Sequence, residues 1–136
     1  MTAVRQPEQP WPGRWASAPY AYLTTIGRRT GHPHRIEIWF ATQDGRVYLL
    51  AGGRDRSDWV RNLQANPQVT VEIGNESHAG IARILEEGTA EDRLARDLLV
   101  EEYATPSNAL TDWKWRSLPV VIEFPAATDE APAASP

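Results

Sequence analysis

Two glycine-bearing, arginine-rich stretches carry the chemistry this sequence suggests. They are Gly27-Arg28-Arg29-Thr30-Gly31 and Ala51-Gly52-Gly53-Arg54-Asp55-Arg56-Ser57, and each follows an apolar run with strand character. The second leads into a short helix. A strand, a Gly-Gly pair and a helix start bring free backbone N–H groups and the positive end of a helix dipole together. Glycine lets the backbone come close to a ligand. Arg54 and Arg56 add fork-shaped donors for phosphate or carboxylate. The first stretch offers Arg28, Arg29 and Thr30 on a tight turn, with Gly31 free to take positive φ. Two such bends suit a phosphorylated, extended ligand. The plainer reading of the second bend is a β–α connection with ordinary capping. No Gly-Lys-Ser/Thr follows, so it is no Walker loop, and GxGxxG is missing.

Other templates fail. No Gly-x-Ser-x-Gly elbow exists. His32 and His34 stand two apart, but no third histidine or carboxylate pair completes a metal set, so no metal is expected. Hydrogen bonding to the turn or to a ligand suits them better. His78 stands alone. Glu37 alternates with apolar residues, which places it outward on a strand or against a cofactor edge. Trp39, Tyr103, Trp113 and Trp115 are candidates to line a pocket for a planar electron acceptor; packing is the plainer role for any one of them. With no nucleophile or acid–base pair, no catalytic side chain is assigned, and redox chemistry would have to come from a bound cofactor. Anion-binding bends and aromatic walls fit a flavin-like one. A non-catalytic carrier of such a cofactor is the alternative.

Charge distribution agrees. The chain has 136 residues, a formal net charge of -4 and 14 basic residues. Arg28, Arg29, Arg35, Arg54, Arg56 and Arg61 gather in or beside the two bends. The acids gather later, at Glu86, Glu87, Glu91, Asp92, Asp97, Glu101 and Glu102. A local arginine cluster on an acidic chain points to a small anion, not to nucleic acid. Cysteine is absent, which removes disulfides and thiolate chemistry and suits a cytoplasmic location. No apolar run approaches the ~20 residues of a membrane span. The polar, proline-rich start does not resemble a signal peptide.

The elements that must position these residues follow from periodicity. Residues 1–18 hold Pro7, Pro10, Pro12, Trp11 and Trp15 without helical or strand period, an irregular arm that docks through its tryptophans or stays disordered. Strands are expected at 20–26, 35–42 and 47–50, the last two joined by Asp44-Gly45, as an antiparallel meander. Ile36, Ile38 and Phe40 share one face of the second. A helix at 57–65, capped by Asp55 or Ser57, turns Trp59, Val60 and Leu63 to one side, and Asn66-Pro67 stops it. Strand 68–73 points Val69, Val71 and Ile73 inward. Strand 77–85 puts Ala79, Ile81 and Arg83 on one face, with Gly80 marking a bulge or a close approach. Thr89 caps a helix at 90–103 with Leu94, Leu98 and Leu99 inward. Residues 105–115 form a loop with a helical turn. Strand 117–124 carries Pro119, which places it at an edge or puts the proline at its start. Residues 126–136 are low-complexity and expected to be disordered. The sum is an α+β domain over 19–125: a six-stranded, mostly antiparallel split β-barrel with two or three flanking helices.

Three segments carry a resemblance: TTIGRRTGHPH at 24–34, LLAGGRDRSDWVRNLQANPQVTVEIG at 49–74 and LPVVIEF at 118–124. Together they resemble the deazaflavin-dependent nitroreductase family, within the flavin/deazaflavin oxidoreductases built on the pyridoxamine-phosphate-oxidase-like split barrel. The likeness covers roughly residues 20–124. It implies coenzyme F420 in a groove of the barrel and hydride transfer to a small electron-poor acceptor, such as a quinone, nitro compound or activated enone. Carried across, Arg28, Arg29, Thr30 and His34 would meet the anionic tail. Arg35, Ile36, Glu37 and Ile38 would pass beside the ring through their backbone. Ala51, Gly52, Gly53, Ser57, Asp58, Trp59 and Arg61 would form the second anion-binding segment. This chain has arginine at 29 where relatives often have lysine, a shorter second bend, and Tyr103, Trp113 and Trp115 where relatives often present tyrosines. Flavin mononucleotide (FMN) is the close alternative cofactor, and haem a third. Relatives of this fold are commonly dimers, so a homodimer is compatible with the resemblance.

Overall fold

The computed structural model describes residues 11–125. Seven strands form one antiparallel sheet: β1 (Ala21–Ile26), β2 (Pro33–Ile38), β3 (Ala41–Gln43), β4 (Arg46–Ala51), β5 (Gln68–Ile73), β6 (Glu76–Ile84) and β7 (Leu118–Glu123). Their order is β2-β1-β5-β6-β7-β4-β3. Strands β2 and β3 lie at opposite edges, yet only Trp39 and Phe40 separate them. Three Cα steps span at most about 11 Å, so the sheet must curl until its edges meet. That corner closes the barrel on one side and is where the expected second strand divides. Its first half pairs with β1 and its second with β4. The meander over the first three strands is therefore not formed, and the strand count is seven.

The barrel interior is filled by Leu23, Phe40, Val47, Leu49, Val69, Val71, Ile73, Val120 and Ile122. Helix α3 (Ala90–Tyr103) covers the outer side of β4 and β7, where Ala95 and Leu99 pack on Tyr48, Leu50 and Val121. Burial on both faces explains why β4 and β7 are continuous apolar runs while β5 alternates. Thr89 caps α3 by accepting from the Asp92 N–H at 3.2 Å. Leu99 is fully inward; Leu94 and Leu98 are half-buried. Helix α2 (Asp58–Ala65) plugs one end of the barrel with Val60 and Leu63. Its N-cap is Ser57, and Asp55 lies in the preceding 3-10 turn (Arg54–Arg56).

Three details refine the expectations. Asp44 and Gly45 both have positive φ, 54° and 77°, as a two-residue hairpin turn requires. Gly80 is a close approach within unbroken pairing, because a Cβ there would stand 2.7 Å from Ile122. Ala79, Ile81 and Arg83 share the exposed face of β6, and Gly80 and Ala82 point inward. Strand β7 is interior, so Pro119 is tolerated by its place near the strand's start.

Helix α1 (Trp11–Arg14) belongs to the arm, which docks through its tryptophans. Trp11 stacks on His78 at 4.2 Å between centroids. Trp15 lies over Gly74, where a Cβ would come within 2.6 Å of its ring. Glu76 receives Arg14 at 2.8 Å and the Trp15 indole N–H at 2.9 Å. These donors, with His78, hold the Glu76 carboxyl down at about 2. A depressed folded value means the contact is complete above the ordinary carboxylate range and is lost as pH falls toward about 2. Glu76→Gln is expected to release the arm at neutral pH, read as a red shift of tryptophan emission, while far-ultraviolet circular dichroism stays near that of the parent. Unchanged emission would show that stacking alone holds the arm. Residues 1–10 and the tail at 126–136 lie outside the described residues. Among those described, no helix is long and apolar enough to cross a membrane.

Candidate functional site: two joined bends and an aromatic cleft

The two glycine bends meet on α2. The first bend closes on itself: the Gly27 N–H donates to His32 O at 2.8 Å, and Gly31 returns at φ 76° to donate to Gly27 O. It is then tied to α2. Asn62, 2% exposed, accepts from the Arg28 backbone N–H at 3.1 Å and from Arg28 Nη1 at 2.9 Å. Asn62 Nδ2 donates to the buried Thr25 hydroxyl at 3.0 Å. Arg28 Nη2 also reaches Asp58 at 3.2 Å. The same helix begins at Ser57, directly after the second bend. Strand β1, bend one, bend two and α2 are thus one hydrogen-bonded unit.

Two hollows flank this unit. One, about 200 Å³, is lined by Gly27, Arg28, Arg29, Thr30, His34, Asp58 and Asn62. Gly27 sits hard against its wall, since a Cβ would lie 2.7 Å from the His34 ring. The other is a cleft of about 390 Å³ bordered by Ile36, Glu37, Ile38, Trp39, Leu50, Ala51, Gly52, Gly53, Ser57, Trp59 and Trp113. That volume falls within the roughly 300–1,000 Å³ of ordinary small-molecule sites. Gly52 opens into it, and a Cβ there would touch nothing nearer than Trp113 at 3.5 Å.

The cations divide into two groups. Arg28 is engaged by the buried Asn62 and by the exposed Asp58 at the surface. Arg35 lies on the outer face of the sheet, paired with Glu72 at 3.0 Å and stacked 3.7 Å over Tyr22. Arg54, suggested by its place in the bend to grip an anion, turns away: it donates to the carbonyls of Arg116 and Ser117 and pairs with Glu87. Arg61 donates to the Asp55 carbonyl at 3.0 Å. Arg29 is exposed and carries no hydrogen bond or ion pair among the described residues, which leaves it as the available cation beside the smaller hollow. Ser57 borders the cleft and makes no side-chain cap bond, so its hydroxyl and the first amides of α2 are uncommitted by capping.

Of the four aromatic candidates, three come together. Trp39 and Tyr103 stack at 4.3 Å and 5°, and Trp113 meets Trp39 edge-on at 5.5 Å. Trp115 does not join them. It is 57% exposed and lies near Lys114 and Arg96. Helix α4 (Thr111–Arg116) is the reason, since residues 113 and 115 point to different sides of it. Asn62 is the site residue that periodicity overlooked. A polar residue three positions after Trp59, on the face that carries Val60 and Leu63, was the available signal.

A curled antiparallel barrel with this paired-bend hollow and aromatic cleft is a split β-barrel of the flavin and deazaflavin oxidoreductase type. Residues 1–125 match the F420H(2)-dependent quinone reductase family, and the chain belongs to that family. An F420H(2)-dependent quinone reductase of Mycobacterium tuberculosis is 38% identical over 60 residues, 41% of this chain. That match spans 40% of the relative's own length. Among solved structures, an F420-H2 dependent reductase (FDR-A) has TM-score 0.61 and 29% identity, covering 77% of this chain and 94% of the other. A protein described as a domain-swapped dimer has TM-score 0.63 and 28% identity, over 77% and 80%. A heme binding protein from Mycobacterium smegmatis, at 19% identity and TM-score 0.69 over 89% and 53%, shares the fold alone.

Proposed function

We propose that this protein is an oxidoreductase that binds F420 across the two bends and uses its reduced form to reduce an electron-poor acceptor. The acceptor class is a quinone, nitro compound or activated enone. The observation that carries the reading is the union of both bends on α2, beside an aromatic-walled cleft, in a chain of this family. The residues fit the group. Arg29, Thr30 and His34 offer a cation, a hydroxyl and an imidazole to a phosphate-and-carboxylate tail. Gly52, Gly53, Ser57 and the first amides of α2 offer a second set of donors. Ile36 and Ile38 give an apolar flank for a flat ring, and Trp39 with Trp113 narrows the cleft against water. When bound, the reduced deazaflavin supplies a hydride, two electrons with one proton, and a second proton from water completes a hydroquinone. The chain's own part is positioning, since among the described residues lining the two hollows no nucleophile is hydrogen-bonded to a base.

Titrating the cofactor-free protein with F420 and with FMN tests this directly. Tighter F420 binding, and oxidation of reduced F420 by menadione above the protein-free rate, is expected. Tighter FMN binding would move the protein to flavin chemistry. F420 binding without accelerated oxidation would make it a carrier. Arg29→Ala is expected to weaken F420 binding about tenfold in low salt, a loss of about 1.4 kcal/mol. The loss shrinks as salt shortens the screening length from about 10 Å toward 3 Å. An equal loss at all salt concentrations would assign Arg29 a packing role instead.

A further inference from the structure

Trp39 occupies an unusual place. It sits on the two-residue corner between the opposite edges of the sheet and is 41% exposed, although it is the largest kind of apolar side chain. Such a residue normally has freedom to move. Here it has little. Tyr103 covers one indole face at 4.3 Å and nearly parallel, and Trp113 meets the indole in a T-shaped contact at 5.5 Å and 83°. Tyr103 is itself fixed at its far end. Its hydroxyl accepts from the Phe40 N–H at 3.2 Å, the peptide next to Trp39, and donates to the Pro19 carbonyl at 3.1 Å. Burial pushes the Tyr103 phenol above its ordinary value, so the donor proton stays in place at neutral pH. The result is an aromatic surface held still at the border of the cleft, with part of its area open to solvent. A rigid, partly open aromatic surface in a cleft gains most from a flat partner, because little conformational entropy is lost on contact.

We propose that Trp39 is the specificity-determining residue for the acceptor, stacking its open surface on a planar, fused-ring, electron-poor molecule, and that Tyr103 is the positioning residue that holds Trp39. This rests on the proposed reductase function and adds to it a preference in acceptor shape. An indole is a two-ring system. A fused two-ring acceptor covers it, whereas a single ring covers about half, and dispersion contact scales with the covered area. Ring size should therefore be read at position 39.

The test compares menadione, which has two fused rings, with 1,4-benzoquinone, which has one. In the F420-loaded enzyme, Trp39→Ala is expected to raise KM for menadione about tenfold and for benzoquinone about twofold, on the scale of an aromatic pair. Because both acceptors meet the same loaded enzyme, any change in cofactor binding cancels in the ratio. Trp39→Phe should recover part of the preference, and Tyr103→Phe, which keeps the ring but loses both hydroxyl bonds, should fall between parent and Trp39→Ala. Equal effects of Trp39→Ala on the two quinones would overturn the proposal. Menadione binding to cofactor-free protein by equilibrium dialysis is the second measurement. Weaker binding by Trp39→Ala than by the parent supports the platform, and identical binding refutes it. If the parent fails to oxidise reduced F420 at all, the reductase reading falls, while dialysis still decides the role of Trp39.

Discussion

Replacing Arg96 by Met is expected to lower the free energy of unfolding by about 3–5 kcal/mol, the range for removing one partner of a buried ion pair. Arg96 is 2% exposed. Its Nε lies 2.7 Å from Asp92 Oδ1, one turn earlier on α3, and its Nη1 donates to the Lys114 carbonyl. Asp92 is equally enclosed and accepts the Gly88 N–H at 2.9 Å through its other oxygen. Methionine fills much of the volume but leaves the Asp92 carboxylate buried without its cation, and leaves the Lys114 carbonyl without its donor. Urea unfolding with an unchanged m-value measures the loss as stability alone. Adding Asp92→Asn should return part of it, because the uncompensated charge goes while the amide oxygen still accepts from Gly88. A double variant no more stable than Arg96→Met would mean that the link to Lys114, not the ion pair, sets the cost. The same contact holds α4, which carries Trp113, so Arg96→Met should also raise acceptor KM.

That pair also marks where the sequence stopped being legible. Asp92, Ala95, Arg96 and Leu99 lie on one helical face, so an acid and a base four apart sit in line with buried residues. Composition counts such residues as solvated surface, and only packing reveals that α4 closes over them. The barrel itself was legible wherever one face is buried. Strand β5 alternates because its outer side is open, and Val69, Val71 and Ile73 could only point inward. The corner at Trp39 and Phe40 was not legible. Ile36, Ile38 and Phe40 keep their inward direction through the break, and periodicity reports a face, not a hydrogen-bond partner. The bends were found because glycine and arginine are rare in combination after strands. Their cations were harder to assign, since nothing local says that Arg54 will meet the carbonyls of Arg116 and Ser117, more than sixty residues away.

The largest effect on cofactor binding is expected from a residue that need not touch the cofactor. Asn62→Leu keeps the side-chain size at a position only 2% exposed, yet removes three hydrogen bonds at once. The Arg28 N–H and the Thr25 hydroxyl lose their partner, and an unsatisfied buried group costs about 1–3 kcal/mol. The Thr25 hydroxyl lies in the barrel wall at 0% exposure and has no route to water. Bend one can respond by loosening, which lets Arg28 reach solvent. The price is the geometry of Arg29, Thr30 and His34, because their loop is closed at Gly27 and Gly31 and, among the described residues, is tied to α2 through Arg28. F420 affinity should therefore fall about thirtyfold, roughly 2 kcal/mol. That exceeds the loss from Arg29→Ala, even though Asn62 adds no charge. Two measurements separate positioning from simple unfolding. Circular dichroism should keep its parental shape at a temperature well below the melting point, and the salt dependence of F420 binding should flatten because Arg29 is no longer held beside the smaller hollow. An Asn62→Leu variant that binds F420 as tightly as the parent would show that bend one holds its shape without the Asn62 bridge, on its own closure and the Arg28–Asp58 pair, and the three bonds of Asn62 would then carry no function.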